Sequence, residues 1–220
     1  MGSITRSFAN NITTSGVLLP ASLTNNSIAN VTAYNAAVAT GGMVLLSSQT
    51  ASASASISFT TGINSTYKEY QFYFINIHPA SNAFKFQFNM STDSGSNYNV
   101  TKTSTTFDAF HAESGVDSSL RYDGDNNDLA QSTAFQSLNY DFGGTENDSN
   151  LGGFLTIFNP SSTTYVKHYI ASVNWQYLNT YSIQAHTAGY ANTTSAINAV
   201  QFKMSSGNID DGTILMYGIV

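Results

Sequence analysis

The chain has 220 residues with hydrophobic side chains at 41%, only 9% Asp, Glu, Lys and Arg, and a formal net charge of −6. An average domain is about 25% charged, so Ser, Thr, Asn and Gly must supply its solubility, and these disfavour helix interiors because they hydrogen-bond the nearby backbone. The composition therefore argues for an all-β protein; its acidic, Lys-poor balance argues against nucleic acid as a partner, and the absence of Cys excludes disulfides, thiolate metal sites and thiol nucleophiles.

Residues 1–40 form a polar leader with single apolar residues spaced along it, among them Ile4, Phe8, Ile12, Leu18 and Leu23. Ile4, Phe8 and Ile12 permit a short helix by spacing, but the intervening Thr, Asn and Ser weaken it. The expected state is an extended arm whose apolar residues dock one by one into a partner; an ordinary leader fits the same pattern. Val17–Leu19 and Met43–Leu46 are the longest aliphatic runs, far too short to insert in a membrane, and residues 1–20 lack a signal-peptide charge cluster and apolar core. Gly41-Gly42 marks the boundary to a domain at 41–220.

From Met43 the period becomes two. Tyr70, Phe72 and Phe74 alternate with Gln71, Tyr73 and Ile75, and Phe84, Phe86, Phe88 and Met90 alternate with Lys85, Gln87 and Asn89. Such alternation is the mark of half-buried strands. His78–Asn82 and Asp93–Asn97 read as turns. Further strands are predicted near 98–106, 151–158, 164–175, 182–190, 197–204 and 213–219, separated by turn signals at Asn159-Pro160-Ser161, Gly207-Asn208 and Asp210-Asp211-Gly212. The stretch 113–150 reads as long loops, with one helical turn allowed at Asp128–Ser132. Many moderate strands between regular turns imply two packed antiparallel sheets, a β-sandwich.

Motifs for chemistry are sparse. His78, His111, His168 and His186 form no metal-ligand pair, and their surroundings point to structural roles. Most carboxylates fall in predicted turns, among them Asp93, Asp117, Asp128, Asp210 and Asp211, so the facing carboxylate pair of a glycosidase is not evident. No nucleophile elbow, phosphate loop or dinucleotide fingerprint occurs, and no cofactor is expected. Asp123, Asp125 and Asn127 alternate as oxygen ligands of a Ca²⁺ loop would, but Asp128 and Ala134 stand where that loop needs Gly and Glu. A solvated acidic loop fits better than a looser Ca²⁺ site. Trp175, Tyr177 and Tyr181 read either as core aromatics or as exposed rings for sugar stacking.

The segment 196–220, containing SGNIDDGTI, resembles the closing hairpin of a domain in marine bacteriophage virion proteins, including cyanophage-type tail-fibre proteins. FYFINIHPAS and FNMSTDSGSNYN within 67–97, and TIFNPSSTTYVKHY at 156–169, resemble the same family. The resemblance implies a virion-surface sandwich, jelly-roll-like and homotrimeric, without catalytic residues to carry over. Only the arm precedes the domain, which leaves no room for a long shaft. A short tail or fibre appendage is therefore expected, anchored to other virion proteins by the arm and contacting a host surface glycan or protein. A capsid decoration protein uses the same parts, and a virion-borne polysaccharide depolymerase is a third reading.

Overall fold

The computed structural model describes residues 42–82, 84–122, 127–178 and 180–219, together with a strand pair near the N-terminus. The chain divides into two units, Met1–Ala39 and Thr40–Val220. In the first, β1 (Ile12–Thr13) and β2 (Gly16–Val17) pair antiparallel. Of the residues expected to dock the arm, Ile4, Phe8, Leu18 and Leu23 lie outside the described residues, and of Ile12 only its backbone pairing is described.

The second unit is an antiparallel β-sandwich. Its strands are β3 (Met43–Thr50), β4 (Ile57–Phe59), β5 (Glu69–Pro79), β6 (Phe86–Ser91), β7 (Lys102–Ala112), β8 (Ser118–Tyr122), β9 (Gln136–Ser137), β10 (Leu151–Phe158), β11 (Lys167–Tyr177), β12 (Tyr181–Ala191), β13 (Ala199–Met204) and β14 (Ile209–Ile219). They form an eight-stranded sheet in the order β3-β14-β5-β10-β11-β12-β7-β8 and a four-stranded sheet in the order β4-β13-β6-β9. The sheets are unequal, so the smaller one covers only part of the larger one's inner face.

The core follows from the period-two alternation. Tyr70, Phe72 and Phe74 of β5 turn inward toward Phe86 and Phe88 of β6 and Phe202 of β13, all buried. Phe202 is central, with its ring 5.3 Å from those of both Phe72 and Phe74 and 5.8 Å from that of Phe86. The Phe74 ring meets it edge-on, the Phe72 ring tilted and the Phe86 ring stacked, and such ring pairs add to their area burial. Toward β7 the interior turns polar. Lys102, Asn89, Gln136 and a Thr106–Thr187 hydroxyl pair are all buried there.

Several sequence expectations are corrected. Residues 128–132 form no helical turn; Ser132 instead bridges to Lys102 by two backbone hydrogen bonds. The stretch 113–150 is not all loop, since it supplies β8 and β9. The strand placed near 98–106 lies at Lys102–Ala112, because buried Asp108 is tolerated in mid-strand once Arg121 of β8 reaches it. His78 lies in β5, not in a turn, and Asp210-Asp211-Gly212 lies inside β14. Both departures have one cause. At Ile75-Asn76 two successive residues of β5 are exposed, so the inward set switches from Tyr70, Phe72 and Phe74 to Ile77 and Pro79. Asn76 takes a left-handed φ of 51°. Beside it, β14 exposes both Asp210 and Asp211 and switches its inward set in the same way, with register shifts against β5. These are paired β-bulges, and an Asp-Asp-Gly or His-Pro signal suits a bulge as well as a turn.

Candidate functional site

Where the small sheet stops short, the inner face of the large sheet stays open and forms a cleft of about 400 Å³ near β7, β8 and β12. Phe110 of β7 and Ile183 of β12, cross-strand partners, contribute to its lining. Tyr177 and Tyr181 bracket the short β11–β12 turn, so register places both rings at the rim. Tyr140 comes from the segment after β9, and Asp117 from the β7–β8 connection. The Phe110 and Tyr181 rings lie 5.9 Å apart at 76°, those of Tyr177 and Tyr181 6.4 Å apart at 52°, and those of Tyr140 and Tyr177 6.5 Å apart at 71°. Rings tilted against one another in this way build a concave wall rather than a flat stack.

Arg121 organises the cleft. Its Nε and Nη2 donate to the two carboxylate oxygens of buried Asp108, at 2.7 and 3.0 Å, a bidentate geometry that fixes the guanidinium plane. The same guanidinium sits 5.1 Å from the Phe110 ring centre and 5.6 Å from that of Tyr140, within cation–π range. Lys85 stands 5.7 Å from Tyr140. The Tyr181 hydroxyl donates to the Asp117 carboxylate at 3.4 Å. Burial, then the neighbouring Asp141 carboxylate and Tyr140, hold the Tyr177 phenol above the usual range, so it stays a neutral donor. Burial also raises the Asp141 carboxyl, against the opposing pull of Lys85 and the Gly143 amide.

A second feature lies on the opposite face of the large sheet. Among the described residues, eight of the eleven exposed large apolar side chains sit there by strand register: Met43, Leu45, Ile75, Phe107, Leu120, Tyr122, Phe158 and Ile170. Cross-strand ring pairs, Phe107 with His186 at 5.2 Å and His168 with Tyr190 at 6.1 Å, add to it. Among the described strand residues, the formal charges on this face are Glu69 at one set of strand ends and Asp210 and Asp211 at the other, while at the β8 edge the Asp128 carboxylate accepts from the Tyr122 hydroxyl at 2.9 Å.

The sequence-derived candidates fare unequally. Asp123 and Asp125 lie outside the described residues. Asn127 is buried, and its Oδ1 accepts from the Lys85 ammonium at 3.1 Å. Among the described residues no group of three or more His, Asp or Glu is placed to hold a metal ion, and no helix is long and apolar enough to cross a membrane. Trp175 is a core residue, whereas Tyr177 and Tyr181 line the cleft. Sequence reading missed Phe110, Arg121 and Tyr140. Arg121 is one of only two arginines in the chain, and that rarity in a Tyr-flanked segment was the available signal. No protein-family model, no curated protein and no solved structure matches the chain.

Proposed function

We propose that this protein is a non-enzymatic structural component of a bacteriophage virion, a surface-exposed tail or fibre-type appendage that assembles with copies of itself. Its N-terminal arm anchors it to other virion proteins, and its sandwich domain contacts the host surface. The observation that carries this reading is the outer face of the large sheet, where eight exposed large apolar side chains lie among uncharged polar ones and the formal charges of the described strand residues stay at the strand ends. Eight strands at about 4.8 Å spacing and several residues in length give a face on the order of 1,000 Å². That is the area one partner contributes to a stable interface. A face whose strand charges stay at the strand ends is compatible with its own copy, since its centre brings no like charges together across a symmetry axis. The resemblance of SGNIDDGTI, which spans the β13–β14 turn, and of TIFNPSSTTYVKHY, which joins β10 to β11, supports the virion assignment.

Quantitative mass spectrometry of purified particles, relative to the major capsid protein, tests the proposal. A small fraction of the shell protein is the expected result. A ratio near that of the shell protein would replace the appendage with a capsid decoration protein, and absence from the particle would overturn the virion assignment.

A further inference from the structure

We infer that the cleft between Tyr140, Tyr177 and Tyr181 is a binding site for a neutral saccharide, with Asp117 as its principal hydrogen-bond acceptor. Aromatic walls beside a carboxylate suit either an organic cation or a sugar. The cation position is already filled from within the chain, since the Arg121 guanidinium lies over Phe110 and Tyr140 and the Lys85 ammonium stands beside the latter. Those two charges stand among the side chains of Asp108, Asp117 and Asp141, so the cleft carries both signs and offers a ligand cation no net excess of negative charge beside the rings.

An anion fares no better. The Arg121 charge is matched by its bidentate pair with Asp108, and Asp117 faces the cleft as a carboxylate. A neutral ligand with one apolar face and several hydroxyls meets neither objection. The C–H face of a pyranose covers a tyrosine ring while its hydroxyls donate to Asp117 and accept from the Tyr177 phenol. The volume, about 400 Å³, lies in the ordinary range for small-ligand sites. The tilted rings give the concavity that a flat stack lacks.

This inference deepens the host-contact reading, and its biological meaning rests on that reading; the binding chemistry can be tested apart from it. The full chain is titrated with glucose, galactose, mannose, N-acetylglucosamine and their disaccharides, and saturation-transfer difference NMR records which ring protons touch the protein. Saturable transfer to at least one of these sugars is expected. Tyr177→Ala and Asp117→Ala should each weaken it about tenfold or more, while Tyr165→Ala, on an exposed loop outside the cleft, should leave it unchanged. Thermal melts keep the comparison to variants that fold. Transfer from none of the sugars, or transfer that survives both cleft variants, would overturn the site. Saturable binding of tetramethylammonium in place of sugar, lost in the same variants, would overturn the neutral-ligand assignment. A chain that binds sugar but is absent from virions sinks only the preceding reading, and a virion protein that binds no sugar sinks only this one.

Discussion

Lys102 and Lys167 lie at the same level of the large sheet, each paired in register with Ala191 from opposite sides of β12. Both are fully buried. Neither forms an ion pair among the described residues; Lys102 donates to the Asn89 amide oxygen at 2.6 Å and the Val100 carbonyl at 2.7 Å, and Lys167 to the Thr193 and Ser195 carbonyls at 3.0 and 2.7 Å. Oxygen dipoles orient these ammonium groups, but they do not neutralise the charge.

This pair sets a pH dependence. Burial pushes Lys102 down to about 7 and also lowers Lys167. The unfolded chain holds a lysine proton up to about pH 10. Between pH 7 and 10 it therefore binds more protons than the folded protein, and stability rises with pH, with a limiting slope of about 1.4 kcal/mol per unit from Lys102. Below pH 7 both states hold the proton and that slope vanishes. Urea denaturation at pH 6, 7.5 and 9 measures this, and Lys102→Met should flatten the rise. Equal stability of the natural chain at pH 7.5 and 9 would contradict it.

The aromatic centre converges on one ring. Phe202 packs against Phe59, Phe72, Phe74, Phe86 and Phe88 across both sheets. Phe202→Ala should cost about 3–5 kcal/mol, the transfer term plus the cavity left in a rigid surround. Phe202→Leu should cost less, as read from chemical denaturation midpoints.

Gly212 is required by the bulge in β14. Its φ is +119°, and an added Cβ would come within 2.7 Å of the Asn76 carbonyl oxygen and 2.8 Å of the Ile77 Cα. Both are backbone atoms that cannot swing aside. Gly212→Ala should therefore lose about 2–4 kcal/mol through strain and lost pairing. Gly42→Ala, where nothing lies within 4 Å, should be close to neutral in the same melts.

Among the described residues, strand β8 joins β7 through its backbone ladder and the Arg121–Asp108 ion pair. Its side chains are all exposed, so little burial holds it to β7. Arg121→Ala would leave the Asp108 carboxylate buried without its guanidinium, and a loss of about 1–3 kcal/mol is expected. Amide exchange should rise across Ser118–Tyr122 well before it rises in β11 or β12. Exchange that rises uniformly over the sheet would argue against β8 as a separately held edge.

Self-association should respond to the outer face alone. Ile170→Asp and Leu45→Asp place carboxylates on exposed positions, 46% and 52% accessible, so folding is spared while a like-charge repulsion enters each symmetric contact. Light scattering after size exclusion should show a shift to monomer in both. A natural chain that is already monomeric at high micromolar concentration would refute the assembly face.

The sequence by itself determined the class of fold. Sparse charge and period-two aromatics force a two-sheet sandwich, since β5 and β6 each present a row of rings that only an opposing sheet can bury. The β10 limits were legible to the residue because Leu151 and Asn159-Pro160 bound it sharply. Local pattern could not place β8, the paired bulges or the cleft. Each depends on a partner distant in sequence. The strand predicted near 98–106 stops short of Asp108, which stays in the strand because Arg121 meets it, Asp210-Asp211-Gly212 reads as a turn until β5 bulges beside it, and Tyr140, Tyr177 and Asp117 converge only because the four-stranded sheet is too narrow to cover the eight-stranded one. Alternation is a property of neighbours along the chain, whereas a site is a property of neighbours in space, fixed by register and sheet order.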